Sequence, residues 1–390
     1  MSIERKYWML RGKRSMIYLD YSATTPMSSY ALETYHRVAT DFFANSRSLH
    51  SRGLESEDVL NLSRQAIANL LSVKTNELYF TGSGSEATFL ALIGLAFGHS
   101  HKGKTIITTK GEHHSVHQTM NYLTNYGFTI KYVPVNQFGQ VTCDALRSTI
   151  TKDTILVSIA HANSEIGTVQ DLNSLANVLS EYGILFHSDC VQTFGKMDIP
   201  ANVLTSATFS AHKCYGPKGV GGSYIKENIP WRPFLQGTTH EAGFRAGTVD
   251  VPGIAAFAAA VEEYQSISLS EKKRYNFLRD LVMTAFENED EIFFEGHPTD
   301  RLPFHISFRL KGVEGQLVML ECNRKGFAIS TGSACRVGDT HPSHTMLSIG
   351  RSTEEAHELV RITFGRWTTE NDVLKLIDAL KQIVTDLKGE

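Results

Sequence analysis

Several features that would each mark a particular class of protein are scarce in this chain. Its 390 residues contain only five cysteines, at positions 143, 190, 214, 322 and 335. The number is odd, the spacing is wide and no CxxC pair occurs. This pattern argues against a disulfide framework or a zinc knuckle, and it favours a reducing, cytoplasmic location. No metal site is predicted.

Long apolar runs and a strong charge of one sign are also missing. The longest apolar stretch, residues 89–97, is far shorter than the ~20 residues that a membrane span needs. The net charge of −3 gives no electrostatic reason to expect nucleic acid or an acidic membrane as a partner. The composition therefore indicates a globular protein that acts on a small ligand.

The length predicts two domains, because single hydrophobic cores stop growing at ~250–300 residues. We expect a large domain over residues 25–268 and a smaller one over residues 16–24 and 269–390, with the boundary near Leu269. Residues 1–15 carry five basic side chains and one acidic side chain. They predict a short basic extension with Met16 as an alternative start, or else an extra N-terminal helix.

Short β-rich runs alternate with helical patterns between residues 77 and 225, and this alternation predicts an α/β fold with a mostly parallel seven-stranded sheet. The expected strands are 77–81, 105–109, 129–135, 154–160, 184–189, 207–210 and 219–225, with helices at 86–97, 113–125 and 172–182. Later segments predict a smaller α+β domain, with helices 252–265 and 271–287, a strand at 304–309 and a last helix that starts at Thr369, where Asp372 completes a capping box.

A glycine- and hydroxyl-rich turn, residues 81–86 (TGSGSE), joins the first of these strands to its helix. Small residues let backbone N–H groups approach an anion, and a helix N-terminus favours a phosphate there. The turn lacks the lysine and the spacing of a P-loop. Taken alone, an ordinary capped turn is an equally good interpretation.

Asp189 and Lys213 stand at the predicted ends of two consecutive strands. A carboxylate there is costly without a cation, and a protonated heteroaromatic nitrogen would supply one. A lysine at the mouth of a sheet can form a Schiff base when its pKa is lowered. Separately, the two residues could be a turn cap and a solvated charge. Together with the anion-binding turn they describe a pocket for pyridoxal 5′-phosphate (PLP).

Cys335 differs from the other four cysteines in its neighbourhood. It lies in residues 330–338 (STGSACRVG), among small and polar residues, and Arg336 would favour its thiolate. The other cysteines lie in ordinary helix and strand contexts and are expected to be packing thiols. Cys335 is therefore the candidate nucleophile.

The chain resembles the cysteine desulfurases of the NifS/IscS type, which belong to class V of the fold-type I PLP-dependent transferases. The resemblance covers residues 16–390, and residues 238–253 and 319–338 are most similar to the NifS-like desulfurase of bacilli that is linked to NAD biosynthesis. The motifs that carry it are YLDYSATTP at 18–26, GEH at 111–113, HANSEIG at 161–167, SDCVQ at 188–192, SAHK at 210–213 and GSAC at 332–335.

This resemblance implies roles for the cofactor-binding residues. Lys213 would bind PLP covalently, His113 would stack on the ring and act in acid–base steps, and Asp189 would pair with the pyridine nitrogen. Gln192 and Asn163 would contact the cofactor as well. The phosphate would be held by Gly84, Ser85, Ser210 and His212, and by Thr248 of the second subunit in a homodimer.

The resemblance also implies a reaction in which L-cysteine becomes L-alanine and its sulfur passes to Cys335 as a persulfide. Arg361 and Asn163 would bind the substrate carboxylate, with Asn45 nearby. The sulfur would go on to a protein acceptor, either an iron–sulfur scaffold or quinolinate synthase, with a tRNA-thiolation enzyme as a further alternative. Two alternatives are a selenocysteine lyase or cysteine sulfinate desulfinase, and a sulfur-trafficking adaptor with a decayed PLP site.

Overall fold

A computed structural model describes residues 16–332 and 341–388 of the chain, so Cys335 and the basic extension at residues 1–15 lie outside the described residues. The strands are β1 Ile17–Tyr18, β2 Leu78–Thr81, β3 Thr105–Thr108, β4 Thr129–Tyr132, β5 Thr154–Ser158, β6 Leu185–Asp189, β7 Ser206–Ser210, β8 Gly221–Ile225, β9 Ile292–Phe294, β10 His305–Leu310, β11 Phe327–Ala328, β12 Ser330–Thr331 and β13 Leu359–Thr363.

The helices are α1 Ser29–Asp41, α2 Ser51–Leu71, α3 Gly84–His99, α4 His114–Thr124, α5 Cys143–Thr149, α6 Leu172–Glu181, α7 Val251–Ala285, α8 Gly315–Arg324, α9 His344–Ser348, α10 Thr353–His357 and α11 Glu370–Lys388. Among the helices of these described segments, none is long and apolar enough to cross a membrane.

The predicted seven-stranded sheet is confirmed, with the strand order β2-β8-β7-β6-β5-β3-β4. Neighbours from β7 to β4 run parallel, whereas β8 is antiparallel to both β2 and β7. All seven expected strands are present. The largest error is at β4, which ends at Tyr132 rather than at residue 135; Pro134 has no N–H to continue the ladder.

Both faces of this sheet are covered, because successive side chains of a strand point to opposite faces. Ile106 and Leu156 belong to a core with α3 and α4, whereas the next residues, Ile107 and Val157, belong to a core with α2, α6 and α7. Because the central strands are buried on both faces, β3 and β5 carry apolar residues at their interior positions.

A second core lies around a four-stranded antiparallel sheet of order β12-β13-β10-β9. The start of the chain joins this core through Leu19 and Tyr21, and β1 pairs in parallel with β11. This association supports our proposal that residues 16–24 and 269–390 form the smaller domain. The predicted cap of the last helix is confirmed, since Thr369 Oγ1 accepts from the Asp372 N–H at 3.1 Å and Asp372 accepts from the Thr369 N–H at 3.0 Å.

The prediction of two helices on either side of Leu269 is wrong, because one helix of 35 residues, α7, runs through this position. Three serines, Ser266, Ser268 and Ser270, lie between the two predicted helices. Each donates its hydroxyl hydrogen to a carbonyl three residues earlier in the helix, as Ser268 does to Gln265 at 3.0 Å. The first half of α7 packs in the core of the large sheet and the second half packs in the core of the small sheet.

Candidate active site

A cavity of about 220 Å³ opens at the carboxyl ends of the parallel strands, and it collects most of the predicted site residues. Parallel strands bring their carboxyl ends to one edge of the sheet, which is where ligands bind in this class of fold. The predicted residues that line the cavity are Gly84, Ser85, His113, Asn163, Asp189, Gln192, Ser210, His212 and Lys213.

The anion-binding turn lies at one end of this cavity. Ser83 caps α3 by accepting from the Glu86 N–H at 3.1 Å, so the first backbone N–H groups of a 16-residue helix face the site. A Cβ at Gly84 would lie 3.0 Å from Val191 and 3.1 Å from Ser210, which explains the glycine. Ser85, Ser210 and His212 line the same end. The arrangement suits a phosphate.

Asp189 and Lys213 follow neighbouring strands, because β6 ends at Asp189 and β7 leads into the single turn that contains Lys213. Asp189 accepts from the Val191 N–H at 2.9 Å. Burial raises the pKa of Asp189, while the Val191 N–H and the charge of Lys213 act in the opposite direction. A cationic ligand group against Asp189 would remove the cost of burying this carboxylate.

Gln192 offers a hydrogen-bonding atom that no described residue uses. Its Nε2 donates to the Ser22 carbonyl at 3.1 Å, whereas its buried Oε1 has no partner. Buried polar atoms are seldom left unpaired in a folded protein. This orphaned atom, the phosphate cradle and the buried carboxylate together match the polar groups of PLP, so the residues present fit that cofactor.

His113 is neutral in this site, and its tautomer follows from its contacts. Its Nδ1 lies 3.2 Å from the Ser115 N–H, which donates to it, and 2.8 Å from the Ser115 hydroxyl. The ring proton is therefore on Nε2. Burial lowers the pKa of His113 to about 4, and the nearby charge of Lys213 contributes. At neutral pH His113 is thus a neutral imidazole whose Nε2–H can donate a hydrogen bond into the cavity.

Arg361 is not a solvated charge, since its side chain is only 5% exposed. It donates from Nη2 to Asp20 at 2.7 Å and from Nη1 to the Ser164 carbonyl at 3.0 Å, while its Nε has no partner among the described residues. It lines a smaller cavity next to the main one, and His113 and Ser164 line both. Arg361 is therefore placed beside the cofactor cavity.

Asn163 lines the main cavity, but its amide is already fully used. Its Oδ1 accepts from the N–H groups of Glu165 and Ile166, and its Nδ2 donates to Gly111 and to Thr345. Asn163 therefore holds the loops of the site together, and contact with a substrate would require it to exchange one of these bonds.

Thr248 and Asn45 do not reach the cavity of their own chain. Both are exposed. The Asn45 side chain accepts from the Arg47 N–H at 3.0 Å, and the carbonyl of Thr248 accepts from Arg245 at 3.5 Å. An exposed Thr248 is compatible with the prediction that it contributes to the phosphate site of a second subunit.

Two residues of the site were missed from the sequence although they lie inside the quoted motifs. Asp20 was not predicted to pair with Arg361. Glu112 is 8% exposed, and it accepts from the Ala160 N–H at 3.0 Å and from Thr109 at 3.0 Å. Burial raises the pKa of Glu112 to about 8. The signal for Glu112 was a carboxylate four residues after the end of the buried strand β3, next to His113.

The cysteines that the structure describes match their prediction as packing thiols in three cases. Cys190, Cys214 and Cys322 are buried, and burial raises the pKa of each thiol to about 12. Cys143 is partly exposed, and its Sγ contacts the Ser174 carbonyl at 3.8 Å. Within residues 16–332 and 341–388, no cluster of His, Cys, Asp or Glu could hold a metal ion.

Comparisons with known proteins agree with this site. A family model for class-V aminotransferases matches residues 17–376. A protein of Halalkalibacterium halodurans named "Putative cysteine desulfurase NifS" is 49% identical over 96% of this chain and 100% of its own length. A solved "NIFS-LIKE PROTEIN" has a TM-score of 0.88 and 31% identity, covering 95% of this chain and 99% of its own.

A solved structure named "SspA in complex with cysteine" has a TM-score of 0.77 and 29% identity, and it covers 90% of this chain and 100% of its own. The predicted resemblance to the NifS type is confirmed by these matches. Because the family model covers nearly the whole chain and relatives match it end to end, the chain belongs to the class-V aminotransferase family, a class of PLP-dependent enzymes.

Proposed function

We propose that the chain is a PLP-dependent cysteine desulfurase, which converts L-cysteine to L-alanine and transfers the sulfur to Cys335. The observation that carries this proposal is the meeting of Lys213, Asp189 and His113 on one cavity whose far end suits a phosphate. The family and the names of the relatives support it, as does the relative that was solved with cysteine bound.

Different residues would hold different parts of PLP. The start of α3 with Ser85, Ser210 and His212 would hold the phosphate, Asp189 the ring nitrogen, and Lys213 the aldehyde carbon. When bound, PLP supplies an electron sink that stabilises negative charge at the substrate Cα. The buried Asp189 carboxylate keeps a proton on the ring nitrogen, because the pair of opposite charges lowers the cost of burial for both.

Two side chains of the cavity can move protons. Lys213 Nζ is placed to take the Cα proton of the substrate, and His113, which is neutral at neutral pH, can accept a proton in one step and return it in a later one. General acid–base catalysis by such groups contributes ~10²–10⁴ in rate. Arg361 would bind the substrate carboxylate, since none of the described residues pairs with its Nε and it borders the cavity through Ser164.

The proposed sulfur transfer balances without an external oxidant. The Cβ–Sγ bond of L-cysteine breaks, a bond forms between that sulfur and Sγ of Cys335, and Cβ gains a proton. The products are L-alanine and a Cys335 persulfide. The five widely spaced cysteines favour a reducing compartment, and we therefore propose a cytoplasmic enzyme.

The test replaces Cys335 with Ser in PLP-loaded protein and measures alanine and protein-bound persulfide formed from L-cysteine. We expect both to be lost, while the visible absorbance of the cofactor stays. Cys143→Ser is the control, because this thiol is partly exposed but was predicted to be a packing thiol, and it should keep full activity.

Three results would contradict the proposal. Normal rates in Cys335→Ser would remove its nucleophile. Alanine release from cysteine sulfinate or selenocysteine but not from L-cysteine would favour the desulfinase or lyase. Purified protein that binds no PLP would favour an adaptor.

We also propose a homodimer in which Thr248 completes the phosphate site of the other subunit. The exposed side chains of Phe43, Leu49 and Leu62 on and around α2 support a buried interface near Asn45. Light scattering should give twice the mass of the chain, and Thr248→Val should weaken PLP retention. A monomeric, fully active enzyme would contradict this.

The sulfur acceptor we propose is an iron–sulfur scaffold or quinolinate synthase, the latter in line with the resemblance to the desulfurases linked to NAD biosynthesis. The experiment loads the enzyme with labelled L-cysteine and offers each purified acceptor in turn. The acceptor that takes up label only from enzyme with an intact Cys335 is the partner, and transfer to neither would contradict the proposal.

A further inference from the structure

Thr25 is a buried threonine that is hydrogen-bonded to both sides of the turn that contains Lys213. It lies between β1 and α1. Its hydroxyl donates to the His212 carbonyl at 2.9 Å and accepts from the Tyr215 N–H at 2.8 Å. Its own N–H donates to the same His212 carbonyl at 2.8 Å. One side chain therefore joins the residue before Lys213 to the residue two positions after it.

The backbone at the end of this turn has an uncommon conformation. Tyr215 has a φ of 65°, in the left-handed region that residues other than glycine seldom adopt. Such a conformation persists only where the surrounding structure imposes it. Here Thr25 binds the N–H of Tyr215, and the Ser28 N–H donates to the Tyr215 carbonyl at 2.9 Å. The two contacts hold the peptide groups on both sides of Tyr215 and so fix the end of the turn.

Thr25 makes these contacts from behind the wall of the cofactor cavity. Ala23, His212 and Lys213 line the cavity, whereas Thr25 is not part of its lining in the segments that the structure describes. A lysine side chain is long and flexible, so the place that its amine can reach depends on where the backbone holds its Cα. Reactive side chains need such support from residues that do not themselves touch the ligand.

The geometry points to Thr25 as a positioning residue for Lys213: its hydroxyl holds the turn so that the lysine amine meets the reacting carbon of PLP. Thr25 belongs to the YLDYSATTP motif at residues 18–26, for which the resemblance implied no role. The inference rests on the proposed function in one respect only, that Lys213 binds PLP covalently. It does not depend on the fate of the sulfur.

The test measures how fast the full chain, stripped of PLP with hydroxylamine, captures fresh PLP at Lys213 in the absence of L-cysteine. PLP is added at saturating concentration, samples are reduced with borohydride at successive times, and mass spectrometry locates the label. Thr25→Val keeps the shape of the side chain but leaves the Tyr215 N–H without its partner. We expect the capture rate to fall about tenfold to a hundredfold, because a misplacement of ~1 Å has effects of this size. Thr25→Ser keeps the hydroxyl and should restore the rate.

Thr168→Val is the matched control, because the buried Thr168 hydroxyl makes the same two kinds of contact elsewhere. It donates to the Phe138 carbonyl at 2.6 Å and accepts from the His297 N–H at 2.9 Å. Thr168→Val should lower the midpoint of thermal unfolding about as much as Thr25→Val does, and it should leave the capture rate unchanged. This control separates loss of a buried hydrogen bond from displacement of Lys213.

Turnover by the PLP-loaded enzyme gives a second readout. In Thr25→Val, kcat for L-cysteine should fall by a factor similar to that of the capture rate, while KM changes little. The reason is that the lysine amine is displaced, whereas the substrate carboxylate is held by Arg361 in the proposed function.

Two results would overturn the inference: equal capture rates in wild type and folded Thr25→Val protein, or an equal loss of rate in Thr168→Val. If Thr25→Val does not fold, Thr25→Cys takes its place, because a thiol is a much weaker hydrogen-bonding group. Wild type that captures no PLP at Lys213 would contradict the inference and the proposed function together. Wild type that captures PLP but forms no alanine from L-cysteine would contradict the proposed function alone.

Discussion

Buried charges are handled in opposite ways in two regions of this molecule, a network on the small sheet and the cofactor cavity. In the small sheet, Arg309 donates to Glu295 at 2.6 Å and to Glu358 at 2.9 Å, and it lies 3.1 Å from Glu355. Arg351 also donates to Glu295 at 2.9 Å. Every buried nitrogen and oxygen of these five side chains, all within the described residues, has a partner.

In the large sheet, the buried polar groups around the cofactor cavity are incomplete. Gln192 Oε1 and the Nε of Arg361, which reaches the site from β13 of the small sheet, are unpaired among the described residues, and burial raises the pKa of Asp189 with only one backbone N–H to oppose it besides Lys213. The comparison separates two uses of buried charge. A closed network holds the fold together, whereas an open one has atoms left for a ligand.

The largest effect should come from breaking the open site at Lys213. Lys213→Ala removes both the covalent anchor of PLP and the group that takes the Cα proton, so turnover of L-cysteine should fall by at least ~10⁴-fold. The free energy of unfolding without cofactor should stay the same, because the site is not a closed network. Alanine formation and chemical denaturation measure the two quantities.

Lys218→Ala is the control for this variant, since Lys218 follows five residues later and is exposed. It should keep both the cofactor and the activity. If Lys213→Ala destabilised the cofactor-free protein as much as loss of a core contact does, the cavity would be structural and the comparison would fail.

The converse experiment breaks the closed network at Glu295, which is 1% exposed. Glu295→Ala leaves two arginines short of a carboxylate, and breaking such a buried pair costs ~3–5 kcal/mol of unfolding free energy. Activity per folded molecule should remain. Urea denaturation and turnover at low temperature give the two values.

Glu321→Ala provides the comparison for a surface pair, because Glu321 lies 2.7 Å from the exposed Arg324. Its cost should be below ~1 kcal/mol. A loss of activity in folded Glu295→Ala that matched Lys213→Ala would show that the two regions do not act separately.

The sequence was enough to predict the sheet and the residues that end its strands. Apolar runs mark strands that are covered on both faces, and so Asp189 and Lys213 stood out where those runs stopped. The parallel connections then bring these residues together, because consecutive strands with helical crossovers end at the same edge.

Contacts between distant segments could not be predicted in this way. The pairing of Asp20 with Arg361 joins residues 341 positions apart, and neither residue has a local pattern that indicates its partner. The course of α7 through residues 266–270 was missed because serine is a weak helix former, and burial of both halves in two cores outweighs that preference.

The smallest expected effect is on the pH dependence of stability, which reports the protonation of Glu112 beside the cofactor cavity. Burial raises the pKa of Glu112 to about 8 from the value of 4.5 that is usual for a glutamate side chain. Between these values the folded state keeps a proton that the unfolded state has lost, so the contribution of Glu112 to stability falls as pH rises. In Glu112→Gln this slope, about 1.4 kcal/mol per pH unit at most, should disappear.

The measurement is the free energy of unfolding of wild type and Glu112→Gln at several pH values between 5 and 8. The difference between the two proteins cancels the other titrating groups. The glutamine keeps an oxygen for the Ala160 N–H, so the variant should gain relative stability as pH rises. Glu57→Gln, at an exposed position of α2, should give a flat difference. A flat difference for Glu112→Gln as well would mean that this carboxylate is ionised in the fold, with a charge partner in the site like the carboxylates of the small sheet.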